Sequence, residues 1–349
     1  MTGPKNEVKH PSSLTFPEIS SRFRSQNESL QSTGNILSKF PKPSQMINAL
    51  LRWVAPPPET MESPVPREER VEWFRCAPFI LIHLAAIWAV FLFPFAWPCL
   101  VLAILSYSIR MFTITAFYHR YFSHRSFKTS RLVQFLGGFV ACSSGQRGPL
   151  WWAAHHRMHH RHSDTEKDMH SPQCKSFLWS HVYWFMTDYA LPTYLKEIPD
   201  WLKFPELRFI NKFDWIPVVS LAGGCYLLGE TQWAATHFQA TGWQWLTWGF
   251  LVPTVALYHG TFSVNSITHL FGKRRFDTND ESRNNAWIAL ITFGEGWHNN
   301  HHFFPGSVRQ GFRKREFDPT FWMLWLMSKV RLVRDLKPIP DWVHAKARD

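Results

Sequence analysis

"AAHHRMHHRHSD", residues 153–164, places five histidines in the eight positions from 155 to 162, with Arg157, Arg161 and Asp164 among them. A solvated surface has no use for so many imidazoles at once. Read as a helix, the stretch puts His156, His159 and His160 at i, i+3 and i+4, on one face, as a comb of ring nitrogens. "HNNHH" repeats the comb at His298, His301 and His302, and "HRYFSH" adds His119 and His124. The latter two are five apart and diverge on an ideal helix, so the helix carrying His119 is expected to end between them. "NSITH" contributes Asn265 and His269.

Neutral imidazole suits iron, zinc, copper and nickel. Nine imidazoles exceed what one ion takes, so two ions are expected. No HExxH is present, and only Glu295-Gly-Trp-His298 fits the Glu-x-x-His pattern, which excludes the soluble carboxylate-bridged bundles. Cys76, Cys99, Cys142, Cys174 and Cys225 form no CxxC pair, so neither a zinc finger nor a Rieske centre is expected. His155, His162 and His170 read as supporting or structural residues. His10, His83, His181, His237 and His259 read as isolated structural histidines.

Working outward, 34 residues between Arg75 and Arg110 carry no Lys, Arg, Asp or Glu. "PFAWP" (94–98) divides them, since two prolines cannot sit inside one unbroken helix. Apolar segments at 77–93 and 98–117 result, against the ~20 residues a membrane span needs. Residues 231–272 form a second uncharged run, with one span from Trp243 to about Phe262. "WIPVVSLAGGCYLLG" (215–229) precedes it. The mean hydropathy of -0.21 is lowered by the polar first 70 residues and the charged segments between the runs. The connection 119–214 holds 13 Lys and Arg, whereas the turns at 94–98 and 231–242 hold none. By the positive-inside rule, both termini and all the histidine clusters face the cytoplasm.

The fold class expected is an all-α integral membrane protein, with four transmembrane helices in two hairpins under a cytoplasmic helical cap. Its parts are a polar, disordered tail at 1–70 and a transmembrane hairpin at 71–118. A cap segment follows at 119–213 with the first two histidine clusters. A second hairpin at 214–264 leads into a second cap segment at 265–349. The tail shows no signal-peptide pattern, and "SQMINALLRWV" (44–54) reads as a short helix lying on lipid. A net charge of +12 then suits anionic lipid, and no nucleic-acid partner is expected.

With "HRYFSH", "HHRMHH", "NSITHLFG" and "GEGWHNNHHFFP" on the page, the chain resembles the membrane fatty-acyl desaturases of the stearoyl-CoA type over residues 75–335. The run "THLFGKRRFDTNDESRNN" is similar especially to the bacterial branch, which would place the chain in a bacterial inner membrane. The resemblance implies two iron ions held by His119, His124, His156, His159, His160, His269, His298, His301 and His302. Asn265 would reach the second ion through a water. It implies a cis double bond set at C9–C10 of a saturated acyl chain, carried on CoA or on phospholipid, with O2 and two electrons consumed. A bent tunnel would fix the register, its bend shaped by Gln146, Trp152 and Thr261 and its floor by Tyr107 and Met111. Ala is usual in the family at the position of Met111, so a shallower tunnel is implied. No haem or rubredoxin module is present, and a separate donor (ferredoxin, rubredoxin, or cytochrome with its reductase) is expected to supply electrons. The residues leave two other functions open: a His-box lipid hydroxylase, and a membrane metal carrier. A carrier would need ligands within the spans, where His83 and His259 form no ladder in the sequence.

Overall fold

The computed structural model describes residues 55–62, 71–73 and 76–348, all within one compact unit, Arg52–Asp349. The expected lipid-surface helix at 44–54 and most of the tail lie outside the described residues. Within the tail the chain is ordered at β1 (Glu59–Thr60), which pairs in parallel with residues 193–194.

The described residues are mostly helical. After β1 come α1 (Ala77–Leu92) and α2 (Trp97–Thr113), the latter continued by a π-helical stretch, Ile114–Ser123. The "PFAWP" break falls as expected: α1 stops at Leu92, and Pro98 enters the first turn of α2, where a missing N–H costs nothing. β2 (Lys128–Thr129), α3 (Arg131–Cys142) and α4 (Pro149–His162) follow. Ser130 caps α3 by accepting from the Val133 N–H. Next are α5 (Phe177–His181), β3 (Thr193–Tyr194), α6 (Pro205–Lys212), α7 (Trp215–Gly229) and α8 (Gln232–Phe238). α9 (Gly242–Leu246) opens with a Thr241–Gln244 capping box and runs through a π-turn, Thr247–Leu251, into α10 (Val252–Ser266). A 3-10 turn, Ile267–His269, ends that helix. The chain closes with α11 (Ala286–Ile291), α12 (His298–Phe303), α13 (Pro319–Lys329), β4 (Val333–Arg334) and α14 (Asp341–Ala345). β4 pairs antiparallel with β2.

Among the described residues, one helix is long and apolar enough to cross a membrane alone: Trp97–Ser123. α1 and α7 are shorter apolar helices, with Leu84, Trp88, Phe91, Val219 and Leu227 exposed on their surfaces. Arg110, inside the long helix, is 2% exposed; its guanidinium donates to the Ser106 carbonyl and to Thr254 Oγ1. The main core lies beneath the histidines. There the π-helical stretch packs on α3, α4 and α6 through Phe117, Phe122, Leu150, Leu207 and Ile210. Gly137 makes that packing close: a Cβ there would stand 2.3 Å from the Phe117 ring.

Candidate metal centre

Nine histidines converge as two groups. His119, His124, His156, His160 and His301 bring five ring nitrogens within 4.8 Å of one another, and His159, His269, His298 and His302 bring four. Each comb serves both groups. α4 gives His156 and His160 to the first and His159 to the second; α12 gives His298 and His302 to the second and His301 to the first. Residues i and i+4 sit one above the other on a helix, while i+3 leans to the side, so one helix can reach two centres.

The helix carrying His119 ends at Ser123, between the two histidines as expected, with His124 as its C-cap. Its last turns are π-helical, and the His124 N–H donates to the His119 carbonyl at 3.3 Å. With i→i+5 bonding, residues five apart come into line. The two rings lie 5.0 Å apart.

Carboxylates orient the rings. Nδ1 of His159 donates to Asp168 at 3.0 Å, Nδ1 of His269 to Asp164 at 2.8 Å, and Nδ1 of His302 to Asp280 at 2.6 Å. Nδ1 of His119 pairs with Glu295. A proton held on Nδ1 leaves Nε2 bare, the arrangement found at metal-bound imidazoles. Across the groups Nε2 faces Nε2: His119 and His301 at 2.9 Å, His124 and His156 at 2.8 Å, His160 and His301 at 2.8 Å, His269 and His298 at 3.1 Å. Nε2 of His302 is buried without a partner. Ring nitrogens converging this closely from nine histidines form a donor set that fits metal ions with imidazole preference.

Electrostatics keep the rings in the ligand form. Burial, then neighbouring imidazoles, holds His124, His156, His160, His298 and His301 well below the usual imidazole range. Burial lowers His302 to about 4 against the pull of Asp280. Behind His119 lies a buried ion cluster. Arg120 reaches Glu295 at 3.1 Å, Asp318 at 2.9 Å and the Val308 carbonyl at 2.7 Å. Burial opposes its charge, but the Asp318 and Glu295 carboxylates outweigh that and raise the guanidinium pKa. Asp318 also caps α13 by accepting from the Phe321 N–H.

Asp164, Asp168, Asp280, Glu295, Arg120 and Asp318 went unassigned in the sequence reading. The signal for two of them was present, since Asp164 and Asp168 follow the second cluster within a few residues.

Two cavities adjoin the histidines. The larger, of 290 Å³, is lined by Gln146, Trp152, Thr261, Asn265, Tyr258 and Phe262, among others. The smaller, of 40 Å³, shares Trp152, His156, Thr261 and Asn265 with it and adds Met111, His119, His159 and His298. Gln146 donates to Thr261 Oγ1 at 3.1 Å, and the Trp152 ring stacks on His156. Tyr107 lines neither cavity; its hydroxyl donates to the Ile291 carbonyl at 2.6 Å. His155 lines the larger cavity with its Nδ1 on the Trp151 carbonyl, and His170 lies 4.3 Å from His159, ring to ring. His83, His181 and His259, read from the sequence as isolated, are joined. His83 and His259 Nε2 are 3.1 Å apart, and His181 Nε2 lies 3.0 Å from His259 Nδ1.

Comparison with known proteins agrees with this geometry. The family model for fatty acid desaturases matches residues 92–310. An sn-1 stearoyl-lipid 9-desaturase of Anabaena variabilis is 35% identical, over 77% of this chain and 94% of the relative. A Synechocystis sp. protein of the same name is 37% identical over 76% and 80%, respectively. An acyl-CoA 5-desaturase of Anemone leveillei is 34% identical over 73% and 76%. Histidine clusters, adjoining apolar cavity and these matches together establish that the chain belongs to the fatty acid desaturase family, oxidoreductases of lipid metabolism.

Proposed function

We propose that the chain is an O2-dependent desaturase that sets a cis double bond at C9–C10 of a saturated acyl chain carried on a membrane lipid. The observation that carries this reading is the junction of the two imidazole groups with an apolar cavity at Trp152, His156, Thr261 and Asn265. The relatives named as stearoyl-lipid 9-desaturases favour C9 and a lipid carrier over CoA.

Two iron ions fit the donor set, the first with His119, His124, His156, His160 and His301, the second with His159, His269, His298 and His302 and, through a water, Asn265. Bound iron supplies the oxidising power, drawn from O2 and two electrons, that removing hydrogen from a methylene requires. The protein's own part is position and dryness. Asp164, Asp168, Asp280 and Glu295 hold the imidazoles in one tautomer and orientation. Gln146, Trp152 and Thr261 shape the cavity beside them, and Met111 lines the smaller cavity. A fixed cavity selects one methylene among near-identical neighbours by holding it at the reacting distance.

Four spans in two hairpins, with both termini cytoplasmic, complete the proposal. Their support is the apolar long helix, the exposed apolar faces of α1 and α7, and the lysine and arginine bias of residues 119–214. A separate donor of ferredoxin, rubredoxin or cytochrome type is assigned to electron supply. Among the described residues, Cys76, Cys99, Cys142 and Cys225 are buried, outside any disulfide and far apart in sequence, and offer no iron–sulfur ligand set.

The test supplies purified protein, a reductase system and O2 with either stearoyl-lipid or stearoyl-CoA, then locates the double bond by mass spectrometry. A C9 double bond formed on the lipid is expected. Product only from the CoA ester, a bond elsewhere, or a hydroxylated chain would overturn the corresponding part.

A further inference from the structure

The larger cavity has a polar corner apart from the histidines. Arg147, Asp214 and Trp215 line the larger cavity and not the smaller one, which holds the histidine end. The Arg147 side chain is 32% exposed, so this corner stands at the mouth. The Arg147 backbone is pinned there: its carbonyl accepts from the Tyr118 hydroxyl at 2.7 Å. It holds φ at +68°, a left-handed conformation that an arginine adopts at a cost.

The corner offers donors only. A guanidinium and an indole N–H donate and cannot accept. The polar contact of the Arg147 side chain is a long one, Nη1 to Asp214 at 3.5 Å, which leaves most of its fork for another acceptor. Nε1 of Trp215, next to Asp214 in the chain, is buried without a partner among the described residues. The other unpartnered nitrogens on this wall, those of His155, His170 and Trp184, gather toward His159 instead. An oxygen that accepts would complete the corner. Asp214 already balances the arginine, and a phosphate would meet its negative charge, so a neutral carbonyl oxygen fits better.

The length of the cavity wall suits a carbonyl held there. Gly148 caps α4, and from it to His156 the helix axis advances about 12 Å. The eight bonds from C1 to C9 of an acyl chain, each ~1.5 Å and zigzagging, reach about 10 Å. A carbonyl at Arg147 therefore brings the ninth carbon to the region of His156.

We propose that Arg147, with Trp215 Nε1 beside it, grips the ester carbonyl oxygen of the acyl lipid and so sets the count of carbons from the carboxyl end to the histidine centre. The inference rests on the reading of the chain as an acyl-lipid desaturase and names the group by which the lipid is held. A fixed grip at one end of a uniform chain is what distinguishes one methylene from the next.

The test compares 1-stearoyl-lysophosphatidylglycerol with its 1-O-octadecyl ether analogue, which lacks the carbonyl oxygen. Binding of each to the iron-loaded full chain is measured in detergent without reductant. Wild type should bind the ester on the order of 10–100-fold more tightly, the range for a hydrogen bond to a charged group. Arg147→Leu should bind the two alike, Arg147→Lys should keep part of the preference, and Trp215→Phe should narrow it. With reductant and O2, Arg147→Leu should raise KM more than it lowers kcat and spread the double bond over neighbouring carbons. Should Arg147→Leu fail to fold, pairing it with Asp214→Asn removes the stranded carboxylate. No ester preference in wild type, or the full preference kept in Arg147→Leu, would overturn the grip. A double bond that stays at one position in Arg147→Leu would overturn its role in counting. The binding ratio is read without turnover, so its failure is distinct from the absence of a C9 product in wild type, which would strike the desaturase reading itself.

Discussion

The backbone N–H of His124 donates to the carbonyl of His119 across five residues, at 3.3 Å, and this π-type bond lets two histidines five apart join one imidazole group. An α-helical continuation would turn the second ring by about 140° from the first. The widened turn is therefore part of the centre itself, as π-bulges at functional sites often are.

Asp164 supports the second group from two sides, accepting from His269 Nδ1 at 2.8 Å and from the Glu281 N–H at 2.8 Å. Asp164→Asn keeps the shape but removes the charge that fixes the His269 tautomer. Iron affinity should fall on the order of 10–100-fold, with activity falling in parallel. Iron per chain, measured alongside circular dichroism to verify folding, checks this. Full iron content in Asp164→Asn would mean that His269 needs no carboxylate.

Arg120 balances two buried carboxylates, Glu295 and Asp318. Arg120→Met takes from both buried carboxylates the guanidinium they share, and removing one partner of a buried ion pair costs about 3–5 kcal/mol. A marked loss of thermal stability in detergent is expected, even with metal supplied in excess. Glu295→Gln should be milder for stability and should act mainly on the His119 side of the centre.

Met111 is 1% exposed and bounds the smaller cavity. Met111→Ala should move the chain-length preference of desaturation toward longer acyl chains, leaving the double bond at its position counted from the head group. Each methylene accommodated or excluded is worth about 1–3 kcal/mol of discrimination. Product profiling on saturated chains of graded length checks this, with Tyr107→Phe as comparison, since Tyr107 lines neither cavity. An unchanged profile with activity retained would reduce Met111 to ordinary packing.

Gly137 lets α3 approach the π-helical stretch that carries His119. Gly137→Ala drives a methyl into the Phe117 ring and should destabilise the protein by about 1–3 kcal/mol. Combining it with Phe117→Leu, which frees space, should recover part of the loss. Thermal unfolding of the two variants side by side is the measurement.

What the sequence by itself determined is local. The uncharged runs, the proline break at 94–98 and the i, i+3, i+4 spacing of the two combs were legible because each depends on residues within a turn or two of one another. So were the nine histidines and, through their boxes, the family they resemble. Only the tertiary structure decided which ring joins which group, because His301 meets His119 across 182 residues of chain. It also decided which carboxylate backs which ring. Asp164 lies 105 residues from His269 and was read merely as a neighbour of the second cluster. The row of His83, His259 and His181 was invisible for the same reason. Its members stand on three helices, each alone in its own stretch of sequence, and packing of α1 and α5 against α10 brings them within hydrogen-bonding distance. Helical periodicity orders side chains over a few residues along one axis, and contacts between axes follow from how apolar faces are buried against each other.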